Sequence, residues 1–269
     1  MRFESRMILV VAACALIPWR AHADTSTTDD RIAVSADGST LTGTDGGGGG
    51  SVAWLHNFDP ASVATAGVEY QKLASAHWTF GTLSGSLTRG PADQRYSFYA
   101  EAHEGTGDDG PNSFDYHIEA AGVIGTYSSK LSVQLEDRRI DVETSHGNLP
   151  KIGLSYLWGP KLQTGVSYQY SVSGNLGTRL TSLRIDNFGA QVNFIGGAAY
   201  GQASASVLNL GVEIPGRQLK EGYVGVSKPF VRQRGELTLI CDYLDLSGSK
   251  KATVTLNYIF HVGAAGVPR

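Results

Sequence analysis

The chain has 269 residues, enough for one large domain or two small ones. Charged residues make up 17% of it, below the roughly 25% of ordinary soluble domains. The formal net charge of −3 gives no sign of a nucleic-acid partner. The two cysteines, Cys14 and Cys241, cannot form a cysteine cluster for a metal ion. We therefore expect no nucleic-acid partner, no metal and no cofactor.

Residues 1–23 have the pattern of a secretory signal peptide. Two arginines precede an apolar stretch, MILVVAACALIP, and the tripeptide AHA matches a cleavage site before Asp24. An alternative is a lipoprotein signal that is cut before Cys14. After Asp24 no run approaches the roughly 18 consecutive apolar residues of a membrane helix. The sequence therefore predicts an exported protein without a helical span.

Along the rest of the chain, apolar and polar residues alternate with a period of two. Clusters of Gly, Asp, Asn, Pro and Ser separate the alternating segments, as turns do between strands. The pattern predicts fourteen strands, near 31–41, 51–58, 64–73, 77–88, 94–104, 114–127, 130–143, 150–158, 161–172, 178–187, 190–203, 218–229, 236–246 and 251–260.

The connections between these strands fall into two groups. The short ones are 59–63, 89–93, 128–129, 159–160, 187–190 and 230–235. The connections that alternate with them are longer and rich in Gly and Asp, and include 44–50, 105–113, 144–149 and 204–217. The exception is the short connection 74–76. Short periplasmic turns, long outer loops and an even strand number are typical of bacterial outer-membrane barrels. The sequence therefore predicts an all-β fold: a transmembrane antiparallel up-and-down barrel over 24–260, of fourteen strands or alternatively twelve.

Aromatic residues recur at the predicted periplasmic ends of the strands. They are Phe58, Tyr96, Tyr127, Trp158, Phe188, Phe230 and Phe260. Membrane barrels carry aromatic girdles where lipid meets water. This distribution favours a membrane barrel over a soluble β-sandwich.

The last predicted strand, ATVTLNYIF, has apolar residues in alternation, including Leu256, Tyr258 and Phe260. It resembles the C-terminal assembly signal of Gram-negative, porin-like outer-membrane β-barrel proteins. The resemblance implies that the barrel-assembly machinery reads this strand. It also implies an outer-membrane location with lipid and lipopolysaccharide as partners. That family usually ends at the aromatic residue, whereas here 261–269 would form a short periplasmic tail; no subfamily or oligomeric state is indicated.

If the apolar residues face lipid, the polar residues between them line the lumen. The predicted lumen-lining residues are Tyr99, Glu101, His103, Asp115, His117, Glu119, Gln134, Glu136, Gln169, Arg184 and Asp186. A polar lining with both signs of charge suits a hydrated channel or a packed network. We therefore expect a passive channel, or a transport or export component, for small solutes or a secreted polymer. An alternative is a structural or assembly-accessory barrel with a closed lumen.

A second alternative is an outer-membrane hydrolase. A symmetric hairpin around a loop at 104–113 would pair His103 with Asp115 and Glu101 with His117. A carboxylate beside a histidine raises its basicity, as general-base catalysis requires. The sequence 115–117, Asp-Tyr-His, also resembles the Asp-x-His half of the omptin protease site. The catalytic candidates are therefore His103, from the assumed pairing, and Asp115 and His117, from the pairing and the resemblance.

The segment LEDRRIDVE at 135–143 breaks the alternation after Leu135. It predicts a strand that extends above the membrane through a β-bulge. Its charges would form a solvated rim, or Arg138 and Arg139 would contact lipopolysaccharide phosphates.

Overall fold

The computed structural model describes residues 29–262, without 60, 74, 92–93, 111, 143, 190, 204–216, 231–234 and 248. The strands are β1 (Asp29–Leu41), β2 (Thr44–Asp59), β3 (Ser62–Leu73), β4 (Ala76–Arg89), β5 (Tyr96–Asp109), β6 (Asn112–Thr126), β7 (Leu131–Val142), β8 (Ser145–Asn148), β9 (Lys151–Leu157), β10 (Leu162–Tyr170), β11 (Arg179–Phe188), β12 (Asn193–Ala203), β13 (Arg217–Phe230), β14 (Gly235–Leu246) and β15 (Ser249–His261). No helix within these limits is long and apolar enough to cross a membrane. The predicted signal peptide, and the tail beyond Val262, lie outside the described residues.

The strands form one closed antiparallel barrel. Successive strands pair side by side, and β1 pairs with β15 from Arg31 opposite His261 to Leu41 opposite Lys251. The short β8 and the following β9 both pair with β7: β8 with its residues 139–142 and β9 with its residues 131–136. The other edge of β9 pairs with β10. Since β8 and β9 occupy one position in the wall, the described barrel has fourteen positions. The prediction of fourteen strands is confirmed, and the alternative of twelve is wrong.

Both ends of the described chain lie at one end of the barrel, which we call the terminal end; the opposite one is the distal end. The prediction of outer loops at 44–50, 105–113 and 144–149 is wrong, since β2 already begins at Thr44, β5 continues to Asp109 and β8 spans Ser145–Asn148. Gly47 explains the first error, because a Cβ there would overlap the carbonyl oxygen of Lys72. The glycine run allows close backbone approach within the sheet rather than forming a loop.

Large apolar side chains cover the outer surface of the barrel between two aromatic borders. Phe58, Tyr96, Tyr127 and Trp158 are exposed at the terminal-end border. The distal border, which the sequence analysis missed, consists of Tyr70, Tyr168, Tyr170, Tyr200 and Tyr243, all exposed in the distal halves of their strands. Two such girdles around an apolar band are typical of barrels that span membranes.

Polar side chains occupy the inner face of the same strands. On β15, Val254 and Leu256 are exposed on the outer surface, while Thr253 and Asn257 are buried inside. Successive side chains of a strand point to opposite faces, so this strand separates an apolar exterior from a polar interior.

Candidate functional site: the barrel lumen

Charged side chains from β5, β7 and β9 meet on the lumen wall at mid-height. Arg138 Nη2 lies 2.6 Å from Glu101 Oε1, and Arg138 Nε lies 3.3 Å from Glu136 Oε1. Lys151 Nζ approaches Glu136 Oε2 at 3.9 Å. Arg138 reaches Glu101 across β6 because the small Ala120 lies between them in the register. We call Glu101, Glu136, Arg138 and Lys151 the lumen ion cluster; two carboxylates there face two cations.

Tyr99 and Gln134 extend the lumen ion cluster toward the terminal end. The Tyr99 hydroxyl donates a hydrogen bond to Glu136 Oε2 at 2.5 Å and accepts one from Gln134 Nε2 at 2.7 Å. Glu136 thereby binds a phenol, a guanidinium and an ammonium group. A buried carboxylate needs such partners, because an isolated charge away from water is costly.

A second charged pair lies further around the wall, on β11. Arg184 Nε is 2.8 Å and 2.9 Å from the two carboxylate oxygens of Asp186. The Arg184 side chain is 22% exposed although it belongs to the inner face. Gln169, on the neighbouring β10, is buried on the same face opposite Leu180.

The lumen is not filled along its middle and terminal parts. Inward-facing small polar residues keep partial exposure on several strands; they are Ser84, Ser86, Ser97, Ser132, Ser155, Ser167 and Ser182. Inner-face side chains of a closed barrel are exposed only to its lumen. Their exposure, with that of Arg184, therefore shows space for water beside the wall.

The distal end of the lumen is apolar and closely packed. One contact cluster, which we call the distal cluster, contains Leu41, Leu73, Ala76, Trp78, Phe80, Tyr116, Ile118, Ile140, Leu149 and Leu176, each at most 5% exposed. The rings of Phe80 and Tyr116 stack with centroids 4.6 Å apart. Sequence reasoning missed this cluster because it assigned the apolar face of every strand to lipid.

A connecting segment, residues 171–178, folds over this end of the barrel; we call it the strap. It follows Tyr170 at the end of β10 and leads to Arg179 at the start of β11. Its Leu176 enters the distal cluster and has no exposed surface. Gly174 and Gly177 flank this leucine with φ angles of 75° and 55°, a conformation that favours glycine.

Hydrogen bonds tie the strap to β8 and the residue before it. The Asn175 side chain donates to the Thr144 carbonyl at 2.6 Å and accepts from the His146 N–H at 2.9 Å. The Val172 N–H donates to the Asn148 carbonyl at 3.1 Å. In the described pairings β7 is the strand that pairs with β8, and the strap lies along the other edge of β8.

His103 lies between the distal cluster and the lumen ion cluster. It is 1% exposed, its ring centroid is 6.0 Å from that of Phe80, and its Nε2 is 4.0 Å from Glu101 Oε1. This position makes His103 part of the packed wall.

The predicted pairing of His103 with Asp115 and of Glu101 with His117 is wrong. The hairpin pairs Asp109 with Asn112, so His103 lies opposite Ile118, three residues from the predicted partner. An odd shift in register moves side chains to the other face of the sheet. The catalytic candidates are therefore separated by the barrel wall, with His103 inside.

Asp115, His117 and Glu119 lie on the outer face, which corrects their predicted place in the lumen. His117 pairs with Glu104, and its Nε2 is 3.6 Å from Glu119 Oε2. Glu119 Oε1 is also 3.7 Å from Arg139 Nη1. These charges lie on the distal half of the wall, where the outer surface turns from apolar to polar.

The predicted bulge in 135–143 is also wrong. The β6–β7 register runs without a shift from Tyr116 opposite Val142 to Thr126 opposite Ser132. Alternation continues through the segment, with Arg138 buried inside and Arg139 more than half exposed outside. Charged residues occupy both faces here, which is why the sequence pattern looked interrupted. Arg138 is thus no part of a solvated rim.

No protein-family model matches the chain, and no curated protein sequence does. Among solved structures it is similar to CymD, a monoaromatic hydrocarbon channel, with a TM-score of 0.60 and 8% identity over 88% of this chain and 89% of that one. It is also similar to the Pseudomonas putida toluene transporter TodX, with a TM-score of 0.54 and 8% identity over 92% and 93%. For the Acinetobacter baumannii outer membrane protein Omp33 the values are 0.52 and 10% over 87% and 99%.

The chain has the fold of outer-membrane β-barrels. At 8 to 10% identity, these likenesses show a shared architecture. The resemblance that the last strand suggested is thereby confirmed for the fold.

Proposed function

We propose that this protein is a passive channel for small solutes in the bacterial outer membrane. The observation that carries the proposal is a partly hydrated lumen with charges on its wall, inside a closed barrel whose exterior is apolar. A closed barrel is one of two ways to satisfy every backbone hydrogen bond in lipid. The two aromatic borders support the same environment.

The lumen wall supplies the means of selecting solutes. Glu101, Glu136, Arg138 and Lys151 form one charged region, and Arg184 with Asp186 forms another. Fixed charges that face a narrow hydrated space act on passing ions, and Arg184, at 22%, is the most exposed of these side chains. CymD is a monoaromatic hydrocarbon channel and TodX a toluene transporter, which agrees with a transport role for this architecture.

The hydrolase alternative is disfavoured by the geometry. His103 lies inside the barrel, whereas Asp115 and His117 lie outside, so these residues do not converge on one substrate. A structural barrel with a closed lumen is the second candidate, and the buried distal cluster is the observation that favours it.

Biogenesis and location follow from the same proposal. Residues 1–23 would direct export, and Leu256, Tyr258 and Phe260 would be read by the barrel-assembly machinery. Lipid and lipopolysaccharide would then surround the apolar outer band.

The test is ion conductance of the refolded mature chain in a planar bilayer, with folding checked by heat-modifiable migration. We expect discrete steps whose reversal potential in a KCl gradient shifts toward cation preference in Arg184→Gln, because a lumen cation is lost. Asp115→Asn is the control, since this residue lies on the outer face. If the folded native chain and a folded Leu176→Ser variant both pass no current, the channel proposal is wrong and the closed barrel is favoured.

A further inference from the structure

We propose that the strap, residues 171–178, is a gate at the distal mouth of the channel, with Leu176 as its closing side chain. This inference rests on the proposed function. It goes beyond it by assigning the closed distal end to a movable segment rather than to the wall of the barrel.

The described side chains at this mouth are closely packed. Phe80, Ile140, Leu149 and Leu176 are each at most 1% exposed, so no water reaches them from the lumen or from outside. Buried Leu219 and Leu246, on β13 and β14, add apolar surface on the other side of the ring of strands. A hydrated ion finds few hydrogen-bonding groups in such packing, and its dehydration there is costly. Hydrophobic constrictions close pores in this way.

The wall beneath the strap is complete without it. β10 and β11 pair in continuous register from Leu162 opposite Asn187 to Tyr170 opposite Arg179. At the base of the strap, the Ser171 N–H donates to the Thr178 carbonyl at 2.8 Å. Movement of the strap above this bond would leave the β10–β11 register intact and would break only the hydrogen bonds between the strap and the edge of β8.

Besides its backbone hydrogen bonds to Asn148 and His146, the strap is held by two side-chain contacts that a substitution can remove. One is the burial of Leu176 in the distal cluster, which depends on its apolar surface. The other is the pair of hydrogen bonds that the Asn175 side chain makes to Thr144 and His146. The left-handed conformations at Gly174 and Gly177 place backbone freedom on each side of these two residues.

The two contacts can be weakened one at a time. Leu176→Ser removes the apolar side chain, and Asn175→Ala removes the hydrogen bonds. Val172→Ser is the matched control, because Val172 belongs to the strap but is 57% exposed outside the cluster, and its backbone hydrogen bond to Asn148 remains. The three variants and the native chain are compared in planar bilayers in KCl, as the full mature protein.

We expect the native channel to be closed for most of the recording, with brief openings. Leu176→Ser should raise the open fraction roughly tenfold, since the burial of one leucine corresponds to about that factor in an equilibrium. Asn175→Ala should raise the open fraction as well, and Val172→Ser should match the native chain. The height of the open step should be equal in all four, because the wall below the strap sets it.

One result would overturn the gate proposal alone, and a different result would overturn the channel proposal. Equal open fractions in the native chain and in folded Leu176→Ser and Asn175→Ala would show that the strap does not gate, while the channel itself stands. The absence of current from every folded protein, with the strap weakened, would overturn the channel proposal. If Leu176→Ser fails to fold, Asn175→Ala decides alone.

Discussion

The ring of Tyr99 lies directly over Gly122 on the neighbouring strand, where a Cβ would overlap the phenol carbon and oxygen. Tyr99, Gly122 and Glu136 lie in one row across β5, β6 and β7. The missing side chain at 122 lets the tyrosine cross β6 and reach Glu136. Packing of an aromatic ring on a strand glycine is a known way to compensate for the glycine in a sheet.

Gly122→Ala should therefore destabilise the barrel. The added methyl group would displace Tyr99 and break its hydrogen bond to Glu136, at a cost of about 1–3 kcal/mol. The measurement is urea unfolding of the protein in lipid vesicles, followed by tryptophan fluorescence. Gly85→Ala is the control, because a Cβ there meets its nearest neighbour, the Val63 carbonyl, at an ordinary 3.5 Å. Equal losses in both variants would mean that the tyrosine is not held by this contact.

The adjacent residues Arg138 and Arg139 should respond very differently to replacement by methionine. Arg138 is 2% exposed and compensates Glu101 and Glu136, so Arg138→Met should cost about 3–5 kcal/mol. Arg139 is 56% exposed and lies 3.7 Å from Glu119, so Arg139→Met should change stability by less than about 1 kcal/mol. The same unfolding measurement compares them, and a small loss for Arg138→Met would show that water reaches the lumen ion cluster.

A charge introduced on two neighbouring positions should distinguish the two faces of β4. Leu83 is 62% exposed on the apolar outer band, so Leu83→Arg should oppose insertion into lipid by about 2–4 kcal/mol near the midplane. Ser84 faces the lumen, so Ser84→Arg should insert normally. The measurement is the yield of folded protein in vesicles of increasing thickness. Normal insertion of Leu83→Arg would contradict a lipid environment for this band.

Replacement of His117 should leave transport unchanged. Its ring pairs with Glu104 and Glu119 on the outer face, away from the lumen. We expect His117→Asn to keep the native step height and reversal potential, and to alter stability by no more than about 1 kcal/mol. Step height and reversal potential in KCl are the readouts. A changed reversal potential would place the histidine near the ion path.

The alternation of apolar and polar residues predicted most of the fold correctly. Alternation in β15, β10 and β9 is regular, because one face of each strand is apolar over most of its length, and these strands were predicted within a few residues of their bounds. The number of strands followed from the same regularity. Glycine misled the prediction at 44–50, since it supports both turns and close packing of strands.

The lumen was predicted less well, for a physical reason. Near the distal end, Tyr116 and Ile118 point inward and His117 points outward, the reverse of the arrangement in the lipid-facing band. Along β6 the apolar side chains lie on the inner face near the distal end and on the outer face in the lipid-facing band, yet the alternation continues without a break. The alternation alone therefore cannot show which of its residues face the lumen. The hairpin register decides, and it follows from the pairing of Asp109 with Asn112, which the Gly/Asp-rich sequence did not specify.

No pattern in the sequence predicted the strap. Its residues 171–178 were divided between two predicted strands, 161–172 and 178–187, and the gap between them. Leu176 is buried in a cluster that also contains residues of strands distant in the sequence, such as Phe80 on β4 and Tyr116 on β6. A single leucine in a polar connection carries no signal of that packing.

The pairing of β1 with β15 has a consequence for how the chain folds. His261 Nδ1 lies 2.9 Å from Asp29 Oδ1, a contact between residues 232 positions apart, and eleven register pairs join the two strands. The other wall pairings are local and can form as hairpins, whereas this closure requires the whole sheet to be in place. Until then β1 and β15 are edges with unpaired backbone groups, which lipid does not tolerate. Closure is thus the step that commits the chain to the membrane, and a chain shortened within β15 would remain an open sheet prone to aggregation.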